Sequence, residues 1–177
     1  MIRETIVLEV FRYNPESDSE PGFQHFEVPY HDDWLVMDAL NHIKDHLDRS
    51  LSYRWSCHMA VCGSCGVMIN GEPTLSCKAF VRDYADGIRV EPLANFPVER
   101  DLIVDQDDFM AKLSSVKPYI IDANEPPLSE GEKIQTPAQL SVFDQYTSCI
   151  NCLLCNSACP QYSLAGDFIG PAALTLA

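Results

Sequence analysis

The sequence predicts an α+β protein: a small sheet domain with one helix across its face, followed by a second part made of helices. Three observations predict it. Residues 5–13 alternate apolar and polar with the two-residue period of a half-buried strand. Val36, Leu40, Ile43 and Leu47 recur at helical spacing. Past about residue 100 the strand-like alternation stops and helix signals take over.

The first strand, residues 5–13, places Ile6, Leu8 and Val10 on one face, and the Asn14-Pro15-Glu16-Ser17-Asp18 run ends it in a turn. Residues 24–28 form the second strand. Asp32 and Asp33 stand before the amphipathic helix that starts near Val36. After a cysteine-rich segment at 57–66, residues 67–69 run into Asn70-Gly71, a hairpin signal because both turn positions take positive φ. The returning strand covers 74–77, and 88–92 is the last short strand. Residues 101–116 read as helix and 122–135, with Pro126-Pro127 and Gly131, as a loop. Thr136-Pro137 is an N-cap with proline in the first turn, opening a helix over 138–146. Pro171 opens another helix, and the apolar run 172–177 has no capping signal, so a longer parent chain is expected. The division that follows is a sheet domain at 1–100, a helix and linker at 101–135, and the start of a helical domain at 136–177.

At 177 residues the chain can hold one large domain or two small ones. Its net charge of −14, spread over both parts, repels phosphate backbones and excludes nucleic acid as the expected partner. The acidity serves either solubility or partner docking. The first residues lead straight into strand-like sequence without the apolar core of a secretory signal. No stretch approaches the roughly 20 apolar residues of a membrane span. Eight cysteines in such a chain point to a reducing compartment, where clustered cysteines bind metal more often than they pair as disulfides.

Cys57, Cys62, Cys65 and Cys77 form C-x4-C-x2-C-x11-C, the plant-type [2Fe–2S] spacing with a distant fourth ligand. Two irons need four thiolates, and the loop must curl tightly with N–H groups turned to sulfur. Gly63 and Gly66 permit that backbone. Zinc is the competing occupant, but structural zinc usually takes paired C-x2-C knuckles, which the x4 spacing does not supply. His58, between ligands, reads as a loop residue because four cysteines already complete the set. Arg54, Lys78 and Arg82 flank the site and either offset cluster charge or are ordinary surface bases.

Cys149, Cys152, Cys155 and Cys159-Pro160 form C-x2-C-x2-C-x3-C-P, the bacterial-ferredoxin run. In that pattern the first three grip one cubane and the fourth usually serves a different cluster. Every other cysteine belongs to the first site, so the expected reading is two distal clusters that take further ligands from outside these 177 residues; a single cubane on all four cysteines of the run is the alternative, disfavoured by the usual geometry. Asp105, Asp107 and Asp108 read as a solvated helix face. No catalytic acid or base is assigned.

With both runs in order, the whole chain resembles the iron–sulfur subunits of the fumarate reductase and succinate dehydrogenase family. The resemblance is carried by residues 52–57 (SYRWSC), Cys62-Gly63-Ser64-Cys65-Gly66, 95–102 (NFPVERDL), Lys117-Pro118-Tyr119, the run from Cys149 to Pro160, and 168–172 (FIGPA). Arg54-Trp55 and Cys159-Pro160-Gln161-Tyr162 are closer to the fumarate reductase branch. The resemblance implies an N-terminal β-grasp, plant-ferredoxin-like domain and an all-α bacterial-ferredoxin-like domain, incomplete in this sequence. It implies [2Fe–2S] on Cys57, Cys62, Cys65 and Cys77, [4Fe–4S] on Cys149, Cys152 and Cys155 with one later cysteine, and [3Fe–4S] on Cys159 with two later ones.

It also implies a chain that passes electrons from quinol, held near the [3Fe–4S] end beside membrane-anchor subunits, to a flavoprotein subunit whose FAD reduces fumarate to succinate. The complex would sit on the cytoplasmic face of a bacterial inner membrane. The alternatives are the succinate dehydrogenase direction, or a free-standing ferredoxin-like carrier.

Overall fold

The computed structural model describes residues 4–84, 86–119, 121, 127–164 and 166–177. Strand β1 (Thr5–Arg12) lies one strand in from the edge of a five-stranded sheet. It pairs antiparallel with β2 (Gly22–Pro29), from Thr5 opposite Pro29 to Arg12 opposite Gly22, and parallel with β5 (Ile88–Glu91). Antiparallel to β5 runs β3 (Gly66–Ile69), which turns through Asn70 and Gly71, at φ 49° and 85°, into β4 (Glu72–Leu75). The order is β2-β1-β5-β3-β4.

Helix α1 (Val36–His42) crosses the sheet and buries Val36, Met37, Ala39 and Leu40. Most of that face meets Ile6, Leu8, Val10 and Val28 from the strands. Each large side chain fully buried this way contributes about 1.5–3 kcal/mol. Residues Ile43–Leu47 continue α1 as a π-helical turn, closed by the Asp48 N–H on the Ile43 carbonyl at 2.7 Å. The wider winding advances each side chain less than an α-turn would. Leu47, expected on the buried face, is therefore turned out and half exposed. The early N–H groups of α1 have no intrahelical acceptors. Val36 donates to the Ala79 carbonyl and Met37 to the Ser76 carbonyl, at 2.8 and 3.0 Å, so the helix start is docked on the chain that flanks Cys77. Asp38, not Asp32 or Asp33, reaches back to the Leu35 N–H.

After the sheet comes a ribbon absent from the sequence reading, β6 (Val98–Arg100) with β7 (Ile103–Val104). The predicted helix at 101 begins only with α2 (Asp107–Ser115). Asp101 stands at the ribbon's tip with φ 46° and is almost fully buried. That left-handed residue breaks the helical register, and the β-branched pair Ile103-Val104 extends the chain. Every later described element is helical: α3 (Pro137–Leu140), α4 (Asp144–Thr147), α5 (Leu154–Ser157) and α6 (Pro171–Thr175). The single helix expected at 138–146 is two short pieces, because Phe143, at φ −135° and ψ 0°, leaves the helical region. Thr136 caps α3 as read, accepting from the Gln139 N–H at 3.3 Å. The expected loop at 122–135 lies partly outside the described residues; its described part holds a short 3-10 turn at Leu128–Glu130.

Arg12 closes the open end of the sheet, with ion pairs to Asp48 at 2.7 Å and Asp101 at 3.1 Å. The Ser50 hydroxyl and N–H, together with Arg12, hold the Asp48 carboxyl below its ordinary 3.8, against an opposing push from burial. A carboxyl depressed in the folded state contributes stability that is complete above its unfolded pKa and disappears as pH falls through the folded one. Asp48→Asn is therefore expected to flatten the loss of stability on acidification below about pH 4, read as urea midpoints across an acid series. A parent and variant that lose stability in parallel there would sink the assignment.

Candidate metal centres

The segment entering the first cysteine loop is fixed before it arrives. The Ser52 N–H donates to the Asp101 carboxylate at 2.8 Å and the Leu102 N–H to the Ser52 carbonyl at 3.2 Å. Two residues on, Arg54 donates to the Val104 carbonyl at 2.6 Å and lies 3.6 Å from Glu99. Arg82 donates to the Asp32 carbonyl at 2.9 Å and covers the Phe80 ring. Both arginines are thus committed to other partners, which favours the surface-base reading for them over direct charge compensation at the site.

The loop then curls as a cluster site needs, but not only by glycine. His58 and Ala60 take φ of 57° and 56°, in the left-handed region that non-glycine residues enter at a cost. The curl turns main-chain donors inward. The N–H groups of Met59, Val61 and Cys62 point at Cys57 Sγ at 3.4, 3.4 and 3.3 Å, and that of Ala60 at Cys77 Sγ at 3.3 Å. N–H groups aimed at sulfur stabilise thiolate charge and tune a cluster bound there. The His58 ring stands edge-on to Trp55, 4.6 Å between centroids.

Cys65 and Cys77 are buried, Cys57 is half-buried and Cys62 is exposed. Ser76 ties the fourth cysteine to the third, because its N–H and its hydroxyl both donate to the Cys65 carbonyl at 3.1 Å. The Ser64 hydroxyl, 3.1 Å from Cys62 Sγ, holds that thiol down to about 6 with help from backbone donors. Burial pushes the Cys77 thiol up to about 11. Ligation requires all four deprotonated, so loading a metal here releases protons. Among the described residues, no three Cys, His, Asp or Glu side chains converge on a point where one ion would sit. The donor set fits a two-iron cluster: four thiols, with N–H groups already turned to the Cys57 and Cys77 sulfurs.

In the second run Asn151 and Leu153 also take left-handed φ, 51° and 66°, which folds the chain from Cys149 to Cys152 into a tight bend ahead of α5, whose second residue is Cys155. Leu153 is buried and anchors the bend beside Leu93, Phe109 and Leu113. Asn95, itself at φ 68°, donates its amide to the carbonyls of Asn156, Ser157 and Cys159 at 3.0, 3.0 and 2.9 Å. Asn156 and Ser157 are the last two residues of α5 and Cys159 lies just beyond it; the Asn156 and Cys159 carbonyls also accept from the Cys159 and Tyr162 N–H groups, at 3.2 and 3.3 Å. Tyr162 packs on Phe96, with its hydroxyl 3.3 Å from Asp108; Asp108 also pairs with Lys112 at 2.8 Å. Asp108 is exposed, as the solvated-face reading has it, and also touches the second run through Tyr162; Asp105 accepts from the Asp107 N–H at the head of α2. Burial and the Asp108 charge push the Tyr162 hydroxyl up to about 12.

The two cysteine groups meet. Cys65 and Cys77 share one apolar cluster with Met37 and Leu75, against which Ile150, Cys152 and Leu154 are packed. Asn95, Asp101 and Ser76, which hold the site together, have no reading as functional residues in the sequence alone. Asn95 and Asp101 fall inside a segment quoted for its resemblance, and nothing in residue type or spacing gives them their partners.

A family model described as a 2Fe-2S iron-sulfur cluster binding domain matches residues 7–111. The fumarate reductase iron-sulfur subunit of Mycobacterium tuberculosis is 58% identical over 174 residues, covering 98% of this chain and 70% of the relative. The succinate dehydrogenase iron-sulfur subunit of Coxiella burnetii is 39% identical over 173 residues, covering 96% of this chain and 72% of the relative. A chain in the structure of the Mycobacterium smegmatis Sdh1 complex in the apo form superposes with a TM-score of 0.80 at 27% identity, over 95% of this chain and 70% of that one. On the matched 2Fe-2S domain and the near full-length identity, the chain belongs to the iron–sulfur subunit family of fumarate reductases and succinate dehydrogenases.

Proposed function

We propose that the chain is the one-electron relay of a fumarate reductase, carrying electrons from quinol toward a flavoprotein subunit that reduces fumarate to succinate. The observation that carries this reading is the packing of Cys152 and its neighbours against the cluster that holds Cys65 and Cys77, two ligand sets in one buried unit. Identity of 58% to the fumarate reductase subunit, against 39% to the succinate dehydrogenase one, favours that branch.

In this reading Cys57, Cys62, Cys65 and Cys77 hold [2Fe–2S]. Cys149, Cys152 and Cys155 hold [4Fe–4S] with one further cysteine, and Cys159 contributes to [3Fe–4S] with two more. The bound clusters supply one-electron chemistry. The chain's own residues position the sulfurs, direct N–H groups at them and exclude water from Cys65 and Cys77. No side chain here moves a proton in the reaction, and FAD belongs to the partner. Residues 1–100 form a β-grasp, plant-ferredoxin-like domain, 101–135 a connecting helix and linker, and 136–177 the first part of an all-α bacterial-ferredoxin-like domain. Membrane-anchor subunits and the quinone lie toward the Cys159 end, and the chain is held by its partners at the cytoplasmic face of the inner membrane. Among the described residues no helix is long and apolar enough to cross a membrane.

A relay fed by quinol needs a first centre less reducing than the plant-type value of about −400 mV. The four N–H···S contacts act in that direction, because donors aimed at sulfur stabilise the negative charge that reduction adds. Redox-titrated EPR of the assembled complex is expected to place the first midpoint well above that value, with iron and acid-labile sulfide present in the protein. A midpoint at the plant value would rule out quinol as the source.

A further inference from the structure

Two glycines of the first cysteine segment lie where the second segment touches it. A methyl group on Gly63 would stand 2.6 Å from the Ile150 carbonyl oxygen and 3.0 Å from Cys152 Cα. On Gly66 it would stand 3.0 Å from the Cys152 carbonyl oxygen, 3.2 Å from Leu154 Cδ2 and 3.3 Å from Leu93 Cδ1. The nearest atoms in both cases are main chain, which cannot swing aside as a side chain can. The gap that remains between the segments is a cavity of about 10 Å³ lined in part by Arg54, Ser64 and Cys152, barely the room of one water.

The two positions differ in what explains them. Gly63 has φ 73°, so the loop's own conformation accounts for a glycine there. Gly66 has no left-handed φ and opens β3, where any residue's backbone would fit. The approach of its neighbours accounts for it, with the Cys152 main chain nearest and the Leu154 and Leu93 side chains behind it. By contrast, nothing lies within 4 Å of a methyl placed on Gly22.

We propose that Gly66, with Gly63 beside it, is a spacer that sets the distance between the first and second metal centres and so the rate at which an electron crosses between them. This rests on the ligand assignment proposed above. The path runs from Cys65 into Gly66, across the contact to the Cys152 carbonyl, and along the Cys152 main chain to its sulfur. The step moves one electron and no atom or proton: the donor centre loses it and the acceptor gains it. Tunnelling falls exponentially with distance, so parting the segments by a fraction of an ångström slows transfer while leaving each ligand set intact. Gly66 is thus a positioning residue, and its side chain of one hydrogen is what brings the second segment in.

The test uses the full-length subunit assembled in its complex, in parent, G66A, G66V, G66A/L154A and G22A forms. Three quantities are read: the integrated EPR signal of each centre, the enhancement of the first centre's spin relaxation by the second, and the rate of electron passage between them by rapid freezing. Expected for G66A is a first-centre signal of parental size, a partial loss of relaxation enhancement and slower passage. G66V loses more, L154A combined with G66A recovers part, and G22A matches the parent. Parental relaxation and rate in G66A and G66V would overturn the proposal. Loss of the first centre itself from G66A would overturn it as well, because the glycine would then serve only the loop's folding. Absence of a second-centre signal in the parent is a separate failure, that of the ligand assignment, and shows before any variant is made.

Discussion

Asp101→Ala is expected to lower stability by about 3 kcal/mol, at the low end of the cost of breaking a buried ion pair. The carboxylate is nearly inaccessible and accepts three bonds: from Arg12 Nε at 3.1 Å, the Tyr13 N–H at 3.0 Å and the Ser52 N–H at 2.8 Å. Truncation leaves both N–H groups without their acceptor, at about 1–3 kcal/mol each if they stay dry. Arg12 keeps Asp48, so its charge is not wholly orphaned, and this holds the total near the lower figure. For a chain of this size the change corresponds to roughly 6–12 °C in Tm. Asp101→Asn should lose less, because asparagine tolerates the left-handed φ of 46° and retains one acceptor. The measurement is thermal melting at matched iron content. An Asp101→Ala melting point within the scatter of the parent's would show that the three bonds are replaced by water at no cost. The site feels the loss as well, because Ser52 is the anchor of the segment that enters the loop at Cys57.

How far the fold and the site were legible in the sequence follows from the range of the interactions involved. Strands β1, β3 and β5, helix α1 and the Asn70-Gly71 hairpin are written in local period and turn chemistry, and the structure has them where that chemistry predicts. All eight cysteines were legible as ligand candidates because cluster motifs are local in sequence, and the matched 2Fe-2S domain spans the first four. What was not legible depends on partners far along the chain. The ribbon at 98–104 exists because Asp101 is pinned to residues 13 and 52, and a window of neighbours shows only a plausible helix start. Leu47 keeps its helical spacing but loses its burial, since one π-turn shifts it off the face. At the first loop the glycines were the visible signal for left-handed backbone, yet His58 and Ala60 supply much of the curl. Those two conformations are held by N–H···S contacts that form only when the loop is closed, so no residue preference announces them.

The same reasoning locates the largest effect on the second run. Asn95→Asp is expected to abolish the centres held by Cys149 through Cys159 while leaving the first centre loaded. The Asn95 amide has two N–H groups facing three carbonyl oxygens, so one is shared. A carboxylate in the amide's place would bring a negative charge against three carbonyl oxygens and offer them no donor. Asn95→Gly separates the two contributions. It keeps the φ of 68° without strain and removes only the donor; the Asn156 and Cys159 carbonyls keep their main-chain donors, so the loss falls chiefly on the Ser157 carbonyl and should cost about 1–3 kcal/mol. Iron per chain and the EPR signals of the individual centres check the pair in the assembled full-length subunit. The glycine variant should load its distal centres more weakly, and the aspartate variant should lose them, both with a parental [2Fe–2S] signal. Full distal loading in the aspartate variant would mean that α5 is held in place by Leu153 and Tyr162 alone, and that the Asn95 contacts follow the fold of the second run without directing it.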